Sequence, residues 1–322
     1  TEIVSESESE WFGGQMGLAF VATMQRRARI YSPCTAANRG FWQEGVGGGY
    51  RTNDVGATGY SGGYGGYAAG VDRCIAAADG SLRYGFAGGY TGGGVTSGVS
   101  QDELNSANLG LYASLNHASG LLLSTALGYG FVDYEIDRRI PGAGAPRTGA
   151  GDTSGGALAF SIAGAYDLAS HLGYPSGFGM RVAPVVRVDW IDARRSAYSE
   201  SGMALLDLDV GAADFESGFV SYGLELGRRK VTANGIPVSA LFDIRYERLV
   251  GDRNAVTSSQ LRNVSGAPFT DPGVIEQRSR VAMGIGAEAQ IKQNVSIHGR
   301  YDTAFRRDAG AHRAAGGVTV RY

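Results

Sequence analysis

The 322-residue chain is short of several things a soluble protein of its size usually has. Cysteine is scarce: Cys34 and Cys74 are the whole supply. Two thiols are too few for a structural zinc site, though one disulfide in an oxidising compartment would use both. A bonded pair and two unbonded thiols both stay open. Prolines number only 8, and glycine follows no three-residue period, which excludes collagen and proline-rich disorder. Charge of one sign is missing as well. The net value is −2, from 29 basic and 31 acidic residues, so nothing electrostatic recommends a nucleic-acid partner. Mean hydropathy is slightly negative, which excludes a helical membrane bundle. A transmembrane barrel survives that test, because only alternate residues of its strands face lipid.

What the chain does have is 52 glycines, 17 tyrosines and a long-range alternation. In the last segment Ala314, Gly316, Val318, Val320 and Tyr322 share one parity, with Arg313, Thr319 and Arg321 on the other. Before it, Val295, Ile297, Tyr301 and Phe305 oppose Ser296, His298, Arg300, Asp302 and Arg306. The same reading sets Val281, Met283 and Ile285 against Arg280 and Glu288, and Phe242, Ile244 and Tyr246 against Asp243, Arg245 and Glu247. It sets Tyr222, Leu224 and Leu226 against Glu225, Val186, Val188 and Trp190 against Arg187 and Asp189, and Leu158, Phe160 and Ile162 against Ser161 and Asp167. A side-chain period of two is the β signature. Further strands are read near 119–135, 106–117, 80–95, 58–74 and 40–51, for a total of twelve.

A soluble sandwich would also alternate. Here, however, aromatics gather towards strand ends on the apolar side, as an interfacial girdle would. Arg, Asp and Glu sit mid-strand on the polar side, which suits a wet lumen. Most segments also reach the roughly 9–11 residues a tilted strand needs to cross a bilayer. The connections alternate too. Short turns around 76–80, 116–119, 169–176, 231–235 and 292–294 interleave with longer, glycine-rich connections at 136–155, 195–216 and 251–277. Twelve strands then put both barrel ends on the short-turn side, the side facing the periplasm.

Residues 11–31 differ. Met16, Leu18, Phe20, Val21 and Met24 run into a basic cluster of Arg26, Arg27 and Arg29, a helix too short and interrupted to span a membrane. Ser32-Pro33 ends it. The domain expectation is therefore an acidic tail or passenger stub at 1–10, a helix and linker at 11–39, and the barrel at 40–322. The opening TEIVSESESE has neither a basic n-region nor an apolar core, so an export signal is expected upstream or already removed.

Specific matches sharpen this. Gly40-Phe41-Trp42-Gln43 with Gly45-Val46-Gly47-Gly48-Gly49-Tyr50, then Gly66-Tyr67-Ala68-Ala69-Gly70-Val71-Asp72, resembles the first two strands of the autotransporter translocator domain of type V secretion. The terminal Val318, Val320 and Tyr322 are similar to an outer-membrane assembly signal shared by many barrels. The resemblance covers roughly 10–322. It implies a bacterial outer-membrane barrel surrounded by lipid, inserted by the barrel-assembly machinery, monomeric, and passing its own N-terminal passenger to the cell surface while its helix ends inside the pore.

The site expectation follows from both readings. Asp189, Glu225, Asp243, Arg245, Glu247, Glu288, His298, Arg300 and Asp302 line the pore, and luminal acids, Asp167 among them, pair with Arg26, Arg27 and Arg29 of a pore helix, since confined charges need partners. Inward Gly85, Gly89, Gly128, Gly284 and Gly286 leave room for that helix. Cys34 and Cys74 fall on the same periplasmic side, where a disulfide is geometrically allowed. Two glycine patterns, around Gly63–Ala68 and Gly284–Ala289, satisfy a dinucleotide-binding spacing, but that spacing has meaning only where a strand opens into a helix. No cofactor or metal site is expected, His117, His171 and His312 forming no ligand cluster. The leading function is translocator, not enzyme. A plain twelve-stranded outer-membrane channel or porin-like protein, with 1–31 as a plug or periplasmic arm, is the alternative. A barrel enzyme built around His298 stands third, because nothing completes a nucleophile–base arrangement there.

Overall fold

The computed structural model describes residues 8–29, 39–52, 60–97, 100–140, 147–169, 171–173, 179–252, 255–264, 266–271, 278–306 and 309–322. A helix, α1 (Glu8–Ala28), precedes strands β1 (Arg39–Thr52), β2 (Ser61–Ala77), β3 (Gly80–Thr96), β4 (Ser100–His117), β5 (Leu121–Ile140), β6 (Arg147–Tyr166) and β7 (Met180–Arg195). There follow β8 (Tyr198–Ser199), β9 (Leu208–Val210), β10 (Ala213–Val231), β11 (Pro237–Gly251), β12 (Thr257–Leu261), β13 (Phe269–Asp271), β14 (Ser279–Lys292), β15 (Val295–Arg306) and β16 (Ala309–Arg321).

Twelve of these close into an antiparallel barrel of order β1-β16-β15-β14-β11-β10-β7-β6-β5-β4-β3-β2. The seam is complete. β1 pairs with β16 without a break from Gly40↔Arg321 to Thr52↔Ala309. Closure leaves no unpaired barrel edge, the condition for strands to cross hydrocarbon.

The alternation read from the sequence is the alternation of the wall. Leu109, Ile285 and Tyr222 are 63%, 60% and 58% exposed on the outside, while Ser161 and Ser221 are fully buried inside. In water such an apolar exterior would be a serious liability; in lipid it is the required surface. Tyr67, Tyr90, Tyr129, Tyr246 and Tyr301 add exposed aromatic rings to it.

All three expected long connections contain strand. In the 136–155 stretch, β5 and β6 stay paired out to Ile140↔Arg147, well past Gly155, the β6 residue at which the β7 ladder begins. This hairpin projects beyond the wall, where no apolar face is demanded. The strand read near 119–135 stops short of Ile140, and Gly149, Gly151, Gly155 and Gly156 in the first half of β6 leave no side chains to show a period. The 195–216 and 251–277 connections contribute a second sheet of order β13-β12-β9-β8. It leans on the projecting hairpin through the Ala150↔Ser201 bridge and a 2.8 Å bond from Arg138 Nε to Glu200 Oε1. Tyr198, Leu208 and Val210 of this sheet join the core around Trp11, near the start of α1. The sheet thus caps the outer end of the helix.

Candidate functional site

The lumen is occupied by α1. Its 21 residues rise about 31 Å, close to the ~30 Å hydrocarbon thickness of a bilayer. The direction is fixed at both ends. Near the start, Glu10 forms a fully buried ion pair with Arg195, the last residue of β7. At the finish, Ser114 Oγ donates to the Ala28 carbonyl at 2.6 Å, close to the short β4–β5 turn. The helix therefore enters from the long-loop end and terminates at the short-turn end.

One face of α1 is packed tightly. Phe20, Val21 and Met24 press on β3, β4 and β5 where the wall carries glycine. A Cβ at Gly128 would lie 2.9 Å from Val21 Cγ2 and 3.1 Å from Phe20 Cδ1, and one at Gly110 only 2.8 Å from Met24 Sδ. Of the glycines expected to make room, Gly89 and Gly128 do so, whereas Gly85 lies under the Tyr112 ring and Gly284 and Gly286 under Arg300. Gly128→Leu will overpack this contact by about 1–3 kcal/mol or more. Increased trypsin cleavage of the helix in an intact, heat-modifiable barrel is the expected result; unchanged protection would show that the helix is not held there.

The arginines at the C-terminal end carry the ionic contacts. Arg27 pairs with Asp72 and reaches Thr319 Oγ1 at 2.9 Å. Asp72 also accepts from Tyr112 OH at 3.0 Å and lies 3.7 Å from Arg83. Arg26 pairs with Glu44 and stands 4.0 Å from Asp302. Arg29 meets Glu225 at 2.6 Å, and Arg181 meets the other oxygen of that carboxylate at 3.1 Å.

Asp189, Glu225, Asp243, Arg245, Glu247, Glu288, His298, Arg300 and Asp302 all border the luminal cavities. Only two of the acids expected to hold the helix reach its arginines, Glu225 and Asp302. Asp189 bonds Arg187 at 2.7 Å, Glu247 bonds Arg280 at 2.7 Å, and Glu288 lies 3.5 Å from Arg321. Asp243 sits between Arg245 and Arg300. Asp167 lies below the lumen, accepting the amides of Ala169 and Val182 at 3.0 and 3.3 Å in the β6–β7 turn. Two further partners, Glu44 and Asp72, were missed, although Glu44 falls between the two halves of the first-strand motif and Asp72 ends the second-strand motif. Glu44 also bonds His298 at 2.9 Å.

The remaining expectations fall as follows. Val318, Val320 and Tyr322 take the outward parity of β16, with Tyr322 70% exposed and its amide donating to the Arg39 carbonyl at 3.0 Å. Cys74 is disulfide-bonded; Cys34 lies outside the described residues. Both dinucleotide-like glycine patterns sit within strands, β2 and β14, and neither opens a helix. Among the described residues no cluster of His, Cys, Asp and Glu is arranged to hold a metal.

A barrel threaded by one helix and closed by its last strand narrows the choice of family, and the sequence decides it. The model of the Autotransporter beta-domain family matches residues 41–302. This chain belongs to the autotransporter β-domain family. Its fold is shared with solved translocator barrels. The translocator domain of NalP from Neisseria meningitidis superposes with a TM-score of 0.69 at 15% identity, covering all of both chains. The β domain of the Bordetella autotransporter BrkA gives 0.64 at 20% identity, over 89% of this chain and all of that one. The transport unit of AIDA-I from Escherichia coli gives 0.56 at 11% identity, over 95% and 98%. No curated protein sequence matches the chain. Membership makes this a translocator barrel of the outer-membrane type, with an attached passenger implied by the family, which is a family of translocator barrels and not a class of enzymes.

Proposed function

We propose that the chain delivers a passenger, joined upstream of α1, to the bacterial cell surface and anchors it there. One observation carries the reading: α1 runs from the long-loop mouth to the short-turn mouth, so the N-terminal end of the helix lies at the outer side. A chain pulled through the barrel and stopped at its last segment would rest in this way. Insertion uses the barrel-assembly machinery acting on Val318, Val320 and Tyr322. A seam closed over its whole length requires no second subunit, so the barrel is monomeric. A Cys34–Cys74 bond would tie the linker after α1 to β2 on the periplasmic side. His298 serves as a partner to Glu44 and not as a catalyst.

The test is surface display. A reporter fused ahead of Thr1, with an export signal, is expected to be stained and trypsin-shaved on intact cells while the barrel stays heat-modifiable. A folded barrel with the reporter retained in the periplasm would overturn the proposal.

A further inference from the structure

Helix α1 does not fill the lumen evenly. It packs along β3 to β7 and only grazes β1, β2 and β10. Towards the far wall, β11 and β14 to β16, it sends long arginine side chains such as Arg26 and Arg27. Two cavities bordered by charged side chains lie on that side. The outer one, of about 130 Å³, runs beside Phe12, Gln15 and Ala19 of the helix. The inner one, also of about 130 Å³, runs beside Gln25, Arg26 and Arg29. Arg187, Arg245, Asp302 and Arg313 border both, so the cavities meet at a single layer of the wall.

That layer is basic. Its carboxylates are shared: Asp243 serves Arg245 and Arg300, and Asp302 serves Arg300 and Arg313. Glu247 serves Arg245 at 3.5 Å and Arg280 at 2.7 Å, so with the Arg187–Asp189 pair five guanidiniums face four carboxylates. The Nε groups of Arg245 and Arg313 donate to no protein acceptor, which leaves hydrogen-bond donors beyond what the acids consume. The side chains of Arg187, Arg245 and Arg313 keep 14%, 11% and 18% of their surface open to the lumen. Rings of arginine in a narrow pore select anions.

We propose that, with the helix seated, the barrel conducts small inorganic anions along this lane, and that Arg187, Arg245 and Arg313 form its selectivity layer. This is an activity of the resting barrel, independent of passenger traffic. The lane is walled by protein of low dielectric, so an excess of one guanidinium acts on a passing ion with little screening.

The full chain, reconstituted in planar bilayers under a potassium chloride gradient, is expected to show a small steady current with a reversal potential favouring chloride. The pair Arg187→Gln with Arg313→Gln removes two positive charges and should lower the chloride-to-potassium permeability ratio roughly tenfold. The pair Arg187→Lys with Arg313→Lys keeps the charge and should keep the selectivity, which separates electrostatics from a damaged fold. Ala311→Trp, on the wall of the outer cavity, should cut the current several-fold with selectivity unchanged. No current from the full chain while a helix-deleted chain conducts, a cation preference, or a reversal potential that the glutamine pair does not move would each overturn the proposal.

Discussion

Removal of residues 1–31 will raise single-channel conductance on the order of tenfold, since it vacates a column about 10–12 Å across. The barrel itself should survive. Its seam is a direct β1–β16 ladder that uses no atom of the helix, and the wall strands pair continuously around the circle. Four acids lose a helix arginine, yet none is left stranded: Asp72 keeps Arg83 at 3.7 Å, Glu225 keeps Arg181 at 3.1 Å, Glu44 keeps His298 at 2.9 Å, and Asp302 keeps Arg300 at 2.7 Å and Arg313 at 2.8 Å. They also gain water, since the lumen floods once the helix is gone, and desolvation is what makes an unpaired charge expensive. The cost falls instead on apolar wall residues that lose their cover, among them Leu104, Val132, Ile136 and Ile191. Lower thermal stability with a wider pore is therefore the expected pairing in bilayer recordings and melts. A conductance equal to that of the full chain would mean that the small outer sheet closes the mouth without the helix.

The parts of this molecule that were legible in its sequence are those where charge and hydrocarbon alternate without interruption. From β7 onward, runs such as Asp243-Ile244-Arg245-Tyr246-Glu247 declare both faces of the wall at once. The glycine-rich strands conceal theirs. Gly47-Gly48-Gly49 in β1 and Gly92-Gly93-Gly94 in β3 have no side chain to mark an inside, so Glu44 was not recognised as luminal although Trp42 and Val46 share its parity and its burial. The outer sheet was illegible for another reason. A strand of two or three residues, such as Tyr198–Ser199 or Leu208–Val210, is too short for a period of two to appear, and β12, the partner of Leu208–Val210, lies some fifty residues away. The helix showed itself through Met16, Phe20 and Met24. Which wall it chose did not, because that depends on where Gly110, Gly128 and Ala126 come together after closure.

The choice of acids on the first two strands, missed at that level, leads to the second large effect. Arg27→Ala will destabilise the seated helix by about 3 kcal/mol, the lower end of what breaking a buried ion pair costs. Arg29→Ala will cost only about 1 kcal/mol. Both arginines pair with a carboxylate, so charge alone does not separate them; surroundings do. Arg27 and Asp72 retain 3% and 2% of their side-chain surface, and Thr319 loses a 2.9 Å bond when the guanidinium goes. Arg83, at 3.7 Å, is too distant to replace it by a direct hydrogen bond. Glu225, by contrast, already holds Arg181 at 3.1 Å, and Arg29 is 15% exposed to the lumen. The check is a pair of melts read by helix protection, repeated in an Asp72→Asn background. Asparagine still accepts the Tyr112 hydroxyl and carries no charge to strand, so Arg27→Ala should cost about 2 kcal/mol less there. An equal loss in both backgrounds would assign the effect to the Thr319 bond and the packing of the arginine stem, and would leave Asp72 as a wall residue rather than the anchor of the helix.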